Sequence, residues 1–263
     1  MSQEPAARPV GTSHPNGARP ATGRWALPTG PRRAVLIGAV LVVLGIAAFL
    51  GVLDSVREKD DLAAVDLPVL HGLAAERSRP LTAVMTAVSL VTGPTILPVV
   101  VLLGAIAWGW IGKQRWQALL LAGSMIVSTV VSLTVKTIVH RPRPPLDTMT
   151  VAGVETTYSF PSGHTMGTAT LLLVVGYLAW IRHPAVKSLV LWLVAILAGT
   201  FVVALSRLYL GYHFVTDVTA SVALAVAVLG GVVMVDRHRA VRAARVTAAK
   251  ARDAVGAAPK PVA

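Results

Sequence analysis

The polar residues that could do chemistry in this chain lie in three short stretches at the ends of apolar runs. The stretch "SRLYLGYHFVTD", residues 206–217, contains Arg207, His213 and Asp217. His213 and Asp217 are four residues apart, so they share one face of a helix. An aspartate in that position can fix the tautomer of a histidine and stabilise its cation. Such a histidine can attack phosphorus as a nucleophile.

The other two stretches carry groups that bind anions or transfer protons. "KTIVHRPRPP" contains Lys136 and Arg143, and "SFPSGHT" contains Ser162, Gly163 and His164. Arginine binds two phosphate oxygens at once, and lysine adds a point charge. A Ser-Gly turn at a helix start offers a hydroxyl and free backbone N–H groups. A second histidine could protonate a leaving oxygen and later activate water.

Each of these residues has a plainer interpretation when it is taken alone. A single arginine or lysine at the end of a membrane span usually reaches the lipid headgroups. A single histidine near the interface is more often structural, and we assign His71, His140, His183 and His238 to that class. Asp217 alone could simply pair with Arg207. The hypothesis of a site depends on three basic residues, two histidines and one aspartate meeting at one membrane face.

Composition indicates which elements must position these stretches. Hydrophobic residues make up 54% of the chain and charged residues 14%, and the mean hydropathy is +0.68. These values are typical of a membrane protein rather than a soluble domain. We predict an all-α bundle of six transmembrane helices, with an interfacial helix within residues 67–91 of the first outer loop. The predicted spans are residues 34–53, 94–111, 116–139, 165–181, 188–205 and 214–235. The absence of cysteine excludes disulfides, thiolate metal sites and a cysteine nucleophile.

The distribution of positive charge predicts the orientation. Six spans place both tails on one side, and most of the 24 lysines and arginines fall in the tails and in the loops on that side. By the positive-inside rule this is the cytosol. We predict a disordered cytoplasmic tail at residues 1–33, a six-span domain at 34–235 and a basic cytoplasmic tail at 236–263. The net charge of +12 thus indicates topology and anionic lipid rather than nucleic acid. Orientation does not explain the basic residues at outer span ends, which are Lys136, Arg141, Arg143 and Arg207.

In their order and spacing the three stretches resemble the signature of the type 2 phosphatidic acid phosphatase superfamily, also called lipid phosphate phosphatases. "KTIVHRPRP" fits Lys, six residues, Arg-Pro. "PSGH" fits a second block, and "SRLYLGYHFVTD" fits Ser-Arg, five residues, His, three residues, Asp. The resemblance covers about residues 66–235. Where many relatives have glycine shortly after the aspartate, this chain has Ala220-Ser221, which is small enough for close helix packing.

The resemblance implies a role for each signature residue and a reaction without a metal or other cofactor. It implies a nucleophile that forms a phosphohistidine, a general acid, an orienting carboxylate and a cradle for phosphate oxygens. In this sequence these are His213, His164 and Asp217 in that order, and Lys136, Arg143, Ser162, Gly163 and Arg207 for the cradle. Two further carboxylates near the blocks, Asp147 and Glu155, do not form a pair at metal-ligand spacing.

We therefore expect a bacterial, multi-pass protein of the inner (cytoplasmic) membrane whose active site faces the outside. It would remove a terminal phosphate from a phosphatidate-like lipid, phosphatidylglycerol phosphate or a polyprenyl diphosphate. Neither the choice among these substrates nor the oligomeric state follows from the sequence. The main alternative is a transporter or channel for an anionic lipid or phosphate, in which polar residues would cross the bilayer. A further alternative is a lipid-binding protein without turnover, although the His213–Asp217 pair argues against it. Vanadate-dependent peroxidases share the site pattern but are soluble.

Overall fold

The computed structural model describes residues 31–151 and 155–256, and these residues are all helical or irregular. The prediction of an all-α fold is therefore confirmed. The predicted N-terminal tail up to residue 30 and the last residues of the predicted C-terminal tail, 257–263, lie outside the described residues. The described residues form α1 Pro31–Glu58, α2 Asp66–Ala75, α3 Arg79–Val91, α4 Ile96–Trp110, α5 Arg115–Val139, α6 Gly163–Trp180, α7 Val186–Tyr209 and α8 Val215–Gly256, with short 3₁₀ helices at Asp61–Val65 and Leu146–Thr148.

Four of the described helices, α1, α5, α7 and α8, are long and apolar enough to cross a membrane. The pair α3 and α4 makes a fifth candidate if it counts as one bent span. Its two helices meet at 52°, and the break contains Gly93 and Pro94. Proline cannot donate the backbone hydrogen bond that a continuous helix needs at this position. By length and composition, residues 31–151 and 155–256 thus contain four to five candidate spans.

Helix α6 corresponds to the predicted span at residues 165–181, but it does not meet the criterion of length and hydropathy. Its first turns carry His164 and several threonines, which lower its hydropathy. Instead of facing lipid, α6 packs against α5, α7 and α8, and its buried residues extend from Thr165 to Leu178. A helix that is enclosed by other helices can carry polar residues without exposing them to hydrocarbon.

Helices α1 and α8 pack closely through small residues. An added Cβ at Gly45 would lie 2.6 Å from the carbonyl oxygen of Ala223. At Gly230 it would lie 2.5 Å from the carbonyl oxygen of Gly38. Only glycine allows backbones to approach this closely, and this is how many membrane helices associate.

Helix α8 is longer than a bilayer is thick. Its 42 residues span roughly 63 Å at 1.5 Å per residue, against about 30 Å of hydrocarbon. Much of the predicted tail after Asp236 therefore continues the last helix.

Asp236 accepts hydrogen bonds from Trp116 Nε1 at 2.9 Å and from the Tyr177 hydroxyl at 2.8 Å. The guanidinium of Arg239 stacks 3.9 Å above the Trp116 ring. Aromatic and basic residues of this kind are typical of a membrane–water boundary.

The three polar stretches lie at the opposite end of the bundle. Helices α5 and α7 end there, and α6 and α8 begin there. Helix α5 ends where His140 adopts a left-handed conformation with φ of 52°, and the Arg-Pro repeat that follows cannot continue a helix. Because successive helices alternate in direction, the three polar stretches, which begin near residues 136, 159 and 206, meet at one end of the fold.

Candidate active site

The centre of the site is the pair formed by His213 and Asp217, both of which are almost completely buried. Oδ2 of Asp217 lies 3.1 Å from Nδ1 of His213. The same oxygen accepts hydrogen bonds from the backbone N–H of Phe214 at 2.9 Å and from the hydroxyl of Ser159. This arrangement fixes the carboxylate against Nδ1 and leaves Nε2 of the imidazole directed away from it.

A tight turn between α7 and α8 places His213. Gly211 has a left-handed φ of +79°, and an added Cβ would lie 2.0 Å from the carbonyl oxygen of Thr148. Glycine is therefore required by both conformation and space. Burial lowers the pKa of His213 to about 3, although Asp217 acts in the opposite direction. The imidazole is thus neutral near pH 7, which is the form that has a free lone pair.

Cationic side chains surround the free side of the imidazole. Nη1 of Arg143 lies 3.3 Å from Nε2 of His213 and donates to the carbonyl of Tyr212 at 2.9 Å. Arg207 is 1% exposed, donates to the hydroxyl of Ser89 and stacks 4.7 Å from the Tyr212 ring. Within the described part of the chain, Nε of Arg207 is a buried donor without a hydrogen-bond partner. A buried donor of this kind favours a ligand oxygen as its partner.

Lys136 approaches the same region from the end of α5. Its ammonium donates to the carbonyl of Tyr158 and lies 3.5 Å from the carbonyl of Ser159. These carbonyls belong to the segment just before the predicted second block. Arg143 donates to the carbonyl of Thr157 at 2.6 Å and to its hydroxyl at 3.1 Å, so Lys136 and Arg143 both bind the same loop.

Glu155 lies among the arginines and was considered above only as a metal ligand. Its Oε2 is 3.0 Å from Nη2 of Arg143, and its Oε1 pairs with Nη2 of Arg207. Burial alone would raise the pKa of Glu155, but the guanidinium groups of Arg207 and Arg143 lower it to about 2. A permanent carboxylate thus binds two of the cations that were predicted to bind phosphate. No local pattern indicates this contact, because Glu155 and Arg207 are 52 residues apart.

The second block starts α6 and is used partly for helix capping. Ser162 is the N-cap residue, and its Oγ lies 3.1 Å from Oγ1 and 3.5 Å from the backbone nitrogen of Thr165. Its side chain is fully buried and does not line the cavity described below. The N–H of Ser162 donates to the carbonyl of Asp217 at 3.3 Å, so this turn also connects the starts of α6 and α8.

A cavity of about 410 Å³ brings the blocks together. Its polar wall contains five of the eight predicted site residues, Lys136, Arg143, Gly163, His164 and His213. Its remaining wall includes the break between α3 and α4 and part of α5. Of the other three residues, Asp217 lies behind His213, Arg207 contacts Glu155 from the side, and Ser162 caps α6. A headgroup in this cavity would meet both histidines and several cations.

Two charged residues beside the pair have no role in the predicted site. Arg141, counted above only as a basic residue at a span end, donates to Oδ1 of Asp217 at 2.6 Å. It also donates to Oδ2 of Asp66 at 2.7 Å. The position of Arg141 two residues before Arg143 is a weak sequence signal that it belongs to the site. The sequence contains no such signal for Asp66.

Comparisons with known proteins agree with the three-block pattern. Residues 117–240 match the PAP2 superfamily. The chain is 32% identical over 131 residues to phosphatidylglycerophosphatase B of Bacillus subtilis (strain 168), across 49% of this chain and 62% of that relative. The chain thus spans less than two thirds of the length of that relative.

A solved structure has the same fold. It is the crystal structure of a transmembrane PAP2 type phosphatidylglycerolphosphate phosphatase from Bacillus subtilis, with a TM-score of 0.59 and 23% identity. The alignment covers 80% of this chain and 97% of that chain. At this identity the likeness shows the fold alone. The segment that matches the superfamily runs from α5 into α8 and contains all three blocks. The resemblance found in the sequence is confirmed to this extent: residues 117–240, which contain all three blocks, match the PAP2 superfamily.

Proposed function

We propose that this chain is an integral membrane phosphatase that removes a terminal phosphate from a lipid phosphate or polyprenyl diphosphate without a metal ion. The observation that carries the proposal is the position of His213. Asp217 holds its Nδ1, and its Nε2 lies beside Arg143 in a cavity that His164 and Lys136 also line. This is the arrangement that attack on a bound phosphate needs.

In the first step, Nε2 of His213 attacks phosphorus while the bond from phosphorus to the leaving oxygen breaks. His164 donates a proton to that oxygen, and Asp217 stabilises the positive charge on the imidazole. The product is a phosphohistidine and a dephosphorylated lipid. In the second step, water attacks phosphorus, His164 accepts a proton from the water, and the P–N bond breaks to release phosphate and neutral His213.

The cationic residues would stabilise the charge on the phosphoryl oxygens in both steps. Arg143 and Arg207 suit two oxygens, and Lys136 and the N–H of Gly163 suit a third. The carboxylate of Glu155 must leave the arginines when the phosphate binds, because the carboxylate and the phosphate compete for the same guanidinium donors. Ser162 was predicted to bind phosphate, but its buried side chain caps α6 outside the cavity, so it would contribute through the conformation of its turn.

For the membrane arrangement we propose six spans, formed by α1, the bent pair α3–α4, α5, α6, α7 and α8. Five of them are predicted spans, and in the bent pair the predicted span at residues 94–111 is extended by α3, which lies in the stretch predicted to be interfacial. Helix α2 would be the interfacial helix of the first outer loop. Both tails would be cytoplasmic, and the site would face the outside of the inner membrane. The positive-inside rule supports this orientation, as do the aromatic and basic residues around Asp236 at the other end of the bundle.

Phosphatidylglycerol phosphate is the first substrate to test, because a similar protein is named phosphatidylglycerophosphatase B. Phosphatidate-like lipids and polyprenyl diphosphates belong in the same panel. In each case the acyl or prenyl chains would stay in the bilayer. The phosphate would enter the 410 Å³ cavity past the α3–α4 break and α5.

The test is phosphate release by the purified protein in detergent, with excess chelator present. We expect release from at least one substrate in the panel, and a loss of at least about a thousandfold in His213→Gln. An acid-labile phosphoryl group trapped on the wild-type protein should be missing from the variant. Full turnover in His213→Gln would contradict the nucleophile, and activity that chelation removes and metal restores would contradict the metal-free mechanism. Flux of the lipid or phosphate across sealed vesicles without phosphate release would favour the transporter alternative.

A further inference from the structure

We propose that the guanidinium of Arg141, held by Asp66, positions the carboxylate of Asp217 and sets the basicity of the nucleophile. This inference rests on the proposed function, since it assigns a role to groups behind the reacting atoms. Arg141 does not line the 410 Å³ cavity, although it lines an adjoining cavity of about 810 Å³ with Lys136 and Arg143. Both of its terminal nitrogens donate to protein oxygens, those of Asp217, Asp66 and Thr216, so we assign it to positioning Asp217 rather than to binding the substrate.

The guanidinium of Arg141 bridges two carboxylates that come from distant parts of the chain. Its Nη1 donates to Oδ1 of Asp217 at 2.6 Å, and its Nη2 donates to Oδ2 of Asp66 at 2.7 Å. Nη1 also donates to the hydroxyl of Thr216 at 2.6 Å, and the guanidinium lies 4.3 Å from the centre of the Phe214 ring. The side chains of Asp66, Arg141 and Asp217 are 4%, 13% and 0% exposed. Charge pairs this well enclosed are weakly screened by water.

Asp66 is itself fixed to the start of α8. It is the first residue of α2, and its Oδ1 accepts a hydrogen bond from the N–H of Thr216 at 3.0 Å. Its Oδ2 accepts from the hydroxyl of Thr216 at 2.7 Å. A carboxylate at a helix start is favoured by the free N–H groups and by the helix dipole. The position of Asp66 is therefore fixed by α8 independently of Arg141, and Asp66 in turn holds Arg141 in place.

The two oxygens of Asp217 have separate partners as a result. Oδ1 binds Arg141, whereas Oδ2 accepts from Ser159 and the N–H of Phe214 and faces Nδ1 of His213. A carboxylate that could rotate would exchange these partners and lose the alignment of the imidazole. The bridge thus keeps Nε2 of His213 directed into the cavity.

The bridge also adjusts charge, because a cation near Asp217 weakens the ability of that carboxylate to stabilise an imidazolium. Asp66 balances part of the positive charge of Arg141 and so restores some of that ability. Removing Arg141 should therefore raise the pKa of His213. Removing the charge of Asp66 should act in the opposite direction.

Other charged groups face His213 and remain constant across the variants below. Arg143 lies 3.3 Å from Nε2, Glu155 pairs with Arg143, and Arg207 pairs with Glu155. His164 and Lys136 line the same cavity. Differences between variants on one substrate therefore report on the bridge, since substrate ionisation also stays the same.

The test compares Arg141→Gln, Asp66→Asn and the double variant. In Arg141→Gln we expect the acid limb of the kcat/KM profile to move up by roughly one pH unit. We expect kcat to fall about tenfold to a hundredfold and KM to stay within about twofold of wild type. Asp66→Asn should move the acid limb down or leave it in place, and adding it to Arg141→Gln should bring the limb back toward wild type. A merely structural role predicts that the two changes damage the enzyme in the same direction and more severely together.

The titration of the His213 imidazole, followed by NMR in detergent and assigned by its absence in His213→Gln, gives a readout that needs no turnover. In this titration we expect the pKa of His213 to be highest in Arg141→Gln, closer to wild type in the double variant, and equal to or below wild type in Asp66→Asn. Arg79→Gln and Asp147→Asn make the same charge changes at exposed positions and should leave both readouts unchanged. If thermal unfolding curves show that Arg141→Gln and wild type are both folded, equal pKa values of His213 in the two proteins would overturn the inference. A wild-type protein that releases phosphate from none of the substrates would instead overturn the proposed function, and the NMR comparison would still decide the role of Arg141.

Discussion

At the scale of single residues, Glu155 is the group that most changes the view of the site. Its carboxylate pairs with Arg143 and Arg207, and the low pKa of about 2 keeps it ionised at any physiological pH. A phosphate that binds these arginines must replace an ion pair rather than water. The affinity of the site for phosphate is thus the difference between two strong interactions.

This competition predicts the effect of Glu155→Gln. Because the neutral amide competes more weakly for the guanidinium groups, KM should fall by roughly threefold to tenfold, and inhibition by vanadate should strengthen similarly. Both constants can be measured from phosphate release with one substrate. Asp147→Asn is the matched control, because it removes an exposed carboxylate from the same loop region. A higher KM in Glu155→Gln would mean that Glu155 assists binding instead of opposing it.

At the scale of helices, the site depends on where α5 and α7 end and where α6 and α8 begin. The capping turn at Ser162 and the glycine turn at Gly211 place their neighbours without long loops. The turn at Ser162 is predicted because Pro-Ser-Gly is a local signal, whereas the turn at Gly211 was not among the predictions. The apolar runs are also predicted, because hydropathy is a local property of the sequence. Hydropathy describes two features less well: the bend between α3 and α4, which follows from Gly93 and Pro94, and the enclosed position of α6, which depends on packing.

The contact between α1 and α8 predicts different effects at two adjacent glycines. An alanine Cβ at Gly230 would lie 2.5 Å from the carbonyl oxygen of Gly38, whereas at Gly231 it would meet nothing within 4 Å. Gly230→Ala should therefore destabilise the protein by about 1–3 kcal/mol, as overpacking typically does. Gly231→Ala should be neutral or slightly stabilising, because alanine is favoured over glycine in helices. Thermal unfolding in detergent measures both, and equal stability of the two variants would show that α1 and α8 do not pack this closely.

At the scale of the whole molecule, charge and aromatic residues distinguish the two ends of the bundle. One end carries the cavity with its cations and histidines, and the other carries Asp236 with Trp116 and Tyr177. The proposed orientation places the cavity outside. The cysteine-free sequence makes this easy to test with single cysteines.

For the orientation we predict that Asp147→Cys is labelled by a membrane-impermeant maleimide in intact cells. His183→Cys should be labelled only after the cells are lysed, because it follows α6 at the other end of the bundle. Both positions are exposed, so accessibility of the side chain does not differ between them. The reverse labelling pattern would place the site in the cytosol and contradict the positive-inside assignment.

Local spacing and hydropathy were enough to predict helices and to find the three blocks on which the resemblance rests, because each of these properties lies within a few dozen neighbouring residues. Only the tertiary structure decided what surrounds the blocks. The pairing of Glu155 with Arg207 joins residues 52 positions apart, and the contact between Asp66 and Thr216 joins residues 150 apart. Such contacts depend on how whole helices pack, and no local period encodes them. The residues of the proposed site can therefore be named from the sequence, whereas the charged residues that surround them are found only in the fold.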